Sequence, residues 1–456
     1  MSISKIISCS IGTEVQISGW ILTCRKQKNL CFIKCYDGSC SSGIQLILEN
    51  FEDKIDLSKL QTGTSIKVEG ILVESPASGQ SVEVKVNSID VIGESNPDEY
   101  PLSKTRISLD TLRTMTHLRP KTSTFGSVFR IKSSISYFTH IFFHEEGYFH
   151  LDPNILTINE CEGGAGVFQV TENDLTDLSQ LPFKDGKYNW SLDHFNKPVF
   201  LTVSSQLQLE ALSCALGPVY TTNKSFRSEH SSTSKHVSEF THLEIENIFI
   251  DMDYLMNIGE KFIKSLSKYL LESCFQDLVN LDKFVSKGII KRIEEISTST
   301  FSRISHKEAI NLLQNSEIKD KPNQGEDLSS ECENWLTDHF KGPVFVTNWP
   351  IDIKSFYMKQ NNDGTCQSFD LLMPYKIGEL IGGSMREENY DKLINIMKKK
   401  NIDESKLKFY TDLRKFGTGP HGGFGLGIDR LCMMFTGMEN IKDVIPFPVS
   451  YKNCDL

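Results

Sequence analysis

The sequence has no excess of basic charge. It carries 59 acidic residues against 49 lysines and arginines, a formal net charge of -10, and this balance excludes a protein that coats nucleic acid without selectivity, which needs a basic surface. Local patches can still meet RNA, and Arg25, Lys26, Gln27 and Lys28 form one. No apolar run approaches the roughly 18 residues that span a bilayer. The N-terminal stretch MSISKIISCSIGTE has neither a long apolar core nor a cleavage site, so a soluble, cytoplasmic protein without a membrane partner is expected. None of the 12 cysteines belongs to a CxxC pair. Cys24, Cys31, Cys35 and Cys40 cluster, but their spacing is irregular and strand alternation is expected to send them to different faces. Reduced thiols are expected, not zinc ligands or disulfides. There is no repeat of fixed period.

At 456 residues the chain exceeds what one core usually holds, so two domains are expected. Residues 1–95 read as five strands, VQISGWILTC, CFIKCYDG, IQLILE, SIKVEGILVE and VEVKVNSIDVI, which alternate apolar with polar residues between Gly, Ser, Asp and Pro turns. Five strands of that length predict a small OB-type barrel. Residues 96–116, rich in Ser, Asp, Pro and Arg, read as a linker, and 117–456 as a second domain. Within it the polar segment 282–332 reads as a helical interruption, with SEIKDKPNQGEDLSSE as its flexible part.

Three segments of the second domain carry chemistry. FHLDPNILTINECEGGAGVFQV (149–170) follows a predicted helix over 128–143 and contains Pro153. FRSEHSSTSKHVSEFTHLEIE (226–246) reads as a hairpin with Arg227 and Glu229 at its neck and Phe240, Glu244 and Glu246 on its return. HGGFGLGIDRLCMMFTG (421–437) runs a Gly-rich strand into a helix bearing Arg430. A dinucleotide-binding reading of that run fails, because Arg430 occupies the next glycine slot after Gly425 and Gly427 and the run lies near the C-terminus instead of in an early βαβ unit.

In this order the three segments resemble motifs 1, 2 and 3 of the class II aminoacyl-tRNA synthetases. The first 95 residues, with Gly19-Trp20, the basic patch, Phe32, Asp37-Gly38 and Gln45, resemble the anticodon-binding domain of the lysyl, aspartyl and asparaginyl members. The resemblance implies an α+β protein: an OB-fold barrel followed by a class II catalytic domain, an antiparallel sheet flanked by helices. It implies ATP and Mg²⁺ as cofactors, a homodimer built around motif 1, and Arg25, Phe32 and Gln45 at the anticodon, with Phe32 stacked on a base. ATP would meet Arg227, Glu229, His236, Phe240, Glu379 and Arg430. Asp370 and Glu379 would hold the metal, and Arg227 and Arg430 would carry catalysis through the phosphates. The amino acid would meet Glu162, Ser204, Gln206, Arg227, Glu244 and Arg386.

The chemistry is consistent with that set. ATP brings about four negative charges, so a carboxylate attacks its α-phosphate only once metal and arginine have neutralised them. FYTDLRKFGTGPHGGFGLGIDRL, ENIKDVIPFP and VFVTNWPIDIKSFYMK resemble the asparaginyl branch, implying L-asparagine and tRNA(Asn) as substrates. Aspartyl members carry lysine where this chain has Leu209, and aspartate where it has Glu244. A glutamate there is expected to bind a carboxamide NH₂ and repel a carboxylate while Arg386 donates to the amide oxygen. Two departures keep charge but change shape: Lys235 replaces a usual arginine and Asp429 a usual glutamate.

Overall fold

The computed structural model describes residues 1–49, 55–76, 79–102, 107–159 and 166–455. Two compact units result, Met1–Ile131 with Cys274–Lys287, and Lys132–Ser273 with Gly288–Asp455. The first unit is larger than the expected 1–95. Arg130 helps to explain why: its Nη2 donates to Asp277 at 2.7 Å and its Nη1 to the Gly38 carbonyl at 2.8 Å, tying the residues beyond 95 and the helix Phe275–Phe284 to the barrel unit.

The strands β1 (Glu14–Gln27), β2 (Leu30–Tyr36), β3 (Ile44–Glu49), β4 (Ser65–Glu74) and β5 (Val82–Gly93) close a barrel in the order β1-β2-β3-β5-β4. Alternate residues such as Ile17, Ile33, Leu46, Val68 and Val84 fill it. The expected scatter of the cysteine cluster is corrected here. A register shift between Ile21 and Thr23 turns Cys24 toward the core, where its sulfur lies 3.3 Å from that of buried Cys31, and Cys35 and Cys40 pack against the same core. The opposite parity points outward, which puts Phe32 half-exposed beside its cross-strand partner Arg25.

The second unit is built on an eight-stranded sheet. Its strands are β6 (Phe149–His150), β7 (Val219–Phe226), β8 (Glu239–Ile248), β9 (Ser302–Ser305), β10 (Val344–Thr347), β11 (Ser368–Met373), β12 (Gly378–Met385) and β13 (His421–Gly427), in the order β9-β10-β11-β12-β13-β8-β7-β6. The inner pairs are antiparallel, and parallel pairing occurs at the two edges, β9 with β10 and β6 with β7. Helices including Ser123–Glu145 and Met252–Ser273 belong to the same chain, the first of them longer than the predicted 128–143.

Of the segment 282–332, residues 282–287 fall in the first unit and 288–332 are part of this domain instead of interrupting it. The latter supply the edge strand β9 and the helices Ile289–Thr298 and His306–Gln314. Ile318 and Leu328, inside the stretch read as flexible, are buried in one core with Ile310, Leu313, Leu336 and Val346. Two apolar anchors in a polar run are enough to fix it, and polarity alone conceals them. Among the described residues, no helix is long and apolar enough to cross a membrane.

Candidate active site

β7 and β8 pair in unbroken register from Phe226 opposite Glu239 to Val219 opposite Glu246. Arg227 therefore leaves the hairpin at its open end. Its backbone N–H donates to the Ser238 carbonyl at 3.0 Å, closing the neck of the loop, and its guanidinium lies 5.6 Å from the centre of the Phe240 ring. His236 Nε2 stands 3.9 Å from Glu229 across the same loop.

β13 runs between β8 and β12, and its glycines are required by that position. A Cβ on Gly423 would stand 1.9 Å from the Ile245 carbonyl oxygen, and one on Gly425 2.5 Å from His242 Nε2. The bare strand leaves room for side chains of its neighbours to reach across the sheet. The following helix, Ile428–Thr436, carries Arg430, whose Nη1 donates to the Glu379 carbonyl. Asp429 accepts from the Thr241 N–H at 2.8 Å and from Lys132, so the position that departs from the family's glutamate holds the helix to β8.

Two cavities open on this face of the sheet, and Arg227 and Glu379 border both. One, of about 310 Å³, is lined by Glu229, His236, Phe240 and Arg430 as well. The other, of about 290 Å³, is lined by Ser204, Gln206, Glu244, Asp370 and Arg386. Every expected catalytic-domain site residue that is described thus borders one or both cavities; Glu162 lies outside the described residues. A larger cavity, of about 980 Å³ beside Pro153 and Leu156, shares only Ser204 with that set.

Asp370 and Glu379 come together at Gly382, whose Cβ would lie 3.6 Å from an Asp370 oxygen and 3.0 Å from a Glu379 oxygen. Burial pushes Asp370 up to about 7 even though the Lys354 ammonium stands 2.7 Å away. A third carboxyl near them was not anticipated. Glu333, on the helix Ser330–Phe340, is pushed up to about 7 by burial and by Glu379. Among the described residues no group of three or more His, Cys, Asp or Glu has the geometry of a metal cage. Two carboxylates beside a cavity lined by Arg227 and Arg430 nevertheless fit Mg²⁺, which takes one or two protein carboxylates and completes its shell with water and phosphate oxygens.

Around the second cavity the buried charges pair with one another. Both Nε and Nη2 of Arg386 donate to Glu246, the former at 2.7 Å, and Nη1 donates to Ser384 at 2.7 Å. Glu244 instead accepts from the Ser204 hydroxyl and from the Ser205 N–H at 2.9 Å. Leu209 is fully buried in the helix Gln206–Leu216 and lines neither cavity. The charge lies one residue on. Glu210, fully buried, receives Arg414 Nη2 at 2.8 Å, the Tyr410 hydroxyl at 3.0 Å and Gln206 Nε2 at 3.0 Å, with His421 Nε2 at 3.1 Å. Burial opposes its charge, but Arg414, His421 and Arg386 outweigh burial and hold the carboxyl well below its usual range. Sequence reading missed Glu210, Glu246, Glu333, Lys354 and Arg414 as site residues. Arg414 and Lys354 lay inside stretches already singled out, but no spacing rule linked them to Glu210 and Asp370, 204 and 16 residues away.

A mostly antiparallel sheet that offers an arginine-lined cavity beside a pocket lined by Gln206, Glu244 and Arg386, in a chain that also carries an OB barrel, fits a class II synthetase catalytic domain. The family described as tRNA synthetases class II (D, K and N) matches residues 108–451, and that described as OB-fold nucleic acid binding domain matches residues 15–92. The asparagine–tRNA ligase of Borreliella burgdorferi is 42% identical over 97% of this chain and 96% of the relative. That of Treponema denticola is 43% identical over 96% and 95%. Among solved structures, the asparaginyl-tRNA synthetase of Pyrococcus horikoshii complexed with asparaginyl-adenylate matches with a TM-score of 0.84 and 29% identity, covering 96% of this chain and 95% of that one. A putative aspartyl-tRNA synthetase from Leishmania major, at 20% identity and a TM-score of 0.79, shares the fold. The chain belongs to the class II tRNA synthetases and, within them, to the asparagine–tRNA ligases.

Proposed function

We infer that this chain joins L-asparagine to the 3′ end of tRNA(Asn) at the expense of ATP. The observation that carries this reading is the pair of adjoining cavities that share Arg227, one suited to a nucleotide and the other to a small amino acid. An oxygen of the asparagine α-carboxylate attacks the α-phosphorus, the bond to the bridging oxygen of the β-phosphate breaks, and pyrophosphate leaves. A ribose hydroxyl of the tRNA then attacks the carbonyl carbon of the adenylate, and AMP departs. No protein nucleophile is needed, because positioning and electrostatics lower the barrier.

Arg227 bridges the two substrates by holding the α-phosphate and the α-carboxylate, Arg430 meets the far phosphates, Phe240 stacks on the adenine, and Glu229 accepts from its amino group. Mg²⁺ held by Asp370 and Glu379 would neutralise phosphate charge. Gln206 and Glu162 receive the substrate ammonium, while Glu244 and Arg386 meet the carboxamide. ATP–pyrophosphate exchange run with asparagine and with aspartate tests the reading: exchange with asparagine alone is expected, and a preference for aspartate would overturn it.

The barrel reads the anticodon from its outer face. Phe32 and Arg25 are cross-strand neighbours there, and Gln45 sits on the adjoining strand opposite Lys34. Phe32→Ala is expected to lower tRNA charging by about 5- to 100-fold, the worth of one stacked base, while pyrophosphate exchange stays near wild type. Equal losses in both assays would assign Phe32 to barrel packing. A homodimer fits the motif 1 segment, where Phe149, Leu156 and Ile158 are 56%, 42% and 43% exposed and form apolar surface that a second copy would cover.

A further inference from the structure

Behind the amino-acid pocket lies a buried charge assembly that the reaction as described leaves unused. Glu210 and Arg414 are both buried, and Arg414 is locked in place. Its Nε donates to the Glu387 carbonyl at 3.0 Å, its Nη2 to both Glu210 and the Tyr410 hydroxyl at 2.8 Å, and its guanidinium carbon stands 4.0 Å from the centre of the Tyr410 ring. Removing a buried ion pair's partner is costly, so such a pair stays intact through turnover.

Glu210 also touches two residues that border the substrate. Gln206 Nε2 donates to its Oε1 at 3.0 Å, and Arg386 Nε lies 3.8 Å from the same oxygen. A carboxylate only accepts, so Glu210 takes the NH₂ end of the Gln206 amide and leaves the carbonyl oxygen for the pocket. The substrate ammonium only donates, and it needs that oxygen. The same carboxylate acts on charge. Two guanidiniums, Arg386 and Arg414, face two carboxyls: Glu246, which burial pushes up to about 8 against the pull of Arg386, and Glu210, which is held well below its usual range. The Glu210 charge therefore offsets theirs, and Arg386 offers its remaining N–H groups as donors from a partly balanced cluster instead of as a bare cation. A neutral carboxamide accepts such donors without loss, whereas a carboxylate would give up its hydration without gaining a counter-charge.

We propose that Glu210, with Arg414 locked behind it, is a positioning and specificity-determining residue of the amino-acid pocket: it orients the Gln206 amide toward the substrate ammonium and cancels the charge that would otherwise admit aspartate. This rests on the reading of the reaction as asparagine activation. It differs from the repulsion assigned to Glu244, because Glu210 acts through Gln206 and Arg386 and touches no substrate atom.

The test is ATP–pyrophosphate exchange with asparagine and aspartate in the full chain, comparing wild type, Glu210→Gln and Glu210→Gln/Arg414→Gln. The wild-type arm stands first: a preference for aspartate there sinks the reading of the reaction before any variant is compared. In Glu210→Gln, which leaves Arg414 unbalanced, the aspartate-to-asparagine ratio of kcat/KM is expected to rise about tenfold, as one unit charge at about 10 Å implies. KM for asparagine should rise more than kcat falls, and KM for ATP should stay unchanged. The double variant removes one charge of each sign, so its ratio should return toward wild type while KM for asparagine stays raised. A folded Glu210→Gln enzyme with equal losses for both amino acids, or with an unchanged ratio, overturns the proposal. If Glu210→Gln fails to fold, as judged by circular dichroism and melting, the double variant decides. A raised KM for asparagine with normal KM for ATP supports the positioning role, and a uniform loss of kcat overturns it.

Discussion

Arg227→Ala and Arg430→Ala are each expected to lower ATP–pyrophosphate exchange by about 100-fold or more without unfolding the chain. Loss of one preorganised donor aimed at developing charge costs on that order. The site geometry sharpens the comparison, because Arg227 borders both cavities and Arg430 only the nucleotide one. Arg227→Ala should therefore raise KM for both asparagine and ATP as kcat falls, whereas Arg430→Ala should leave KM for asparagine near wild type. Neither arginine lies in the core: Arg227 sits at the neck of a loop, and Arg430 on the first turn of its helix reaches the Glu379 carbonyl. The melting temperature should accordingly move little. Exchange close to wild type in either folded variant would remove that arginine from the phosphate site.

Glu244→Gln should shift selectivity toward aspartate. Two unit charges about 4 Å apart repel by roughly 4 kcal/mol at an effective dielectric of about 20, which at about 1.4 kcal/mol per decade is close to a thousandfold. The donors from Ser204 and the Ser205 N–H already draw on that carboxylate, so a change of about 10- to 100-fold in the ratio of specificity constants is the expected result. The glutamine can keep its place. Its oxygen accepts from the Ser205 N–H, and the Ser204 hydroxyl turns from donor to acceptor. Because Glu244 and Glu210 act on one substrate group, the double variant with Glu210→Gln should depart from the sum of the single effects. An unchanged ratio in an active Glu244→Gln enzyme would mean that aspartate is excluded by another group.

Much of the candidate site was legible because each of its motifs is local. Arg227, Glu229 and Phe240 fall within one hairpin, and Arg430 follows a glycine run whose close packing explains its composition. The barrel was legible for a similar reason, since strands that bury one face alternate with period two. The cysteine cluster shows where that logic stops. A single register shift in β1 moved Cys24 to the core face, and no pattern in the residues announces a bulge. The segment 282–332 failed differently, because its composition is polar while Ile318 and Leu328 stand singly in it and pack on the flanking helices and strand through Ile310, Leu313, Leu336 and Val346, at no helical or strand period.

The sequence by itself determined the two-domain plan, the strand and hairpin periods, the glycine strand and the side chains proposed to meet ATP, since each depends on neighbours a few residues away. Only the tertiary structure decided which charge answers which. Arg386 pairs with Glu246, Glu210 with Arg414 and Asp370 with Lys354, while Glu244 accepts from two serines with His242 Nδ1 3.6 Å away. In the first two of these pairs the partners are 140 and 204 residues apart. Burial makes the choice matter, because a charge removed from water must be balanced locally, and only the folded sheet determines what is local.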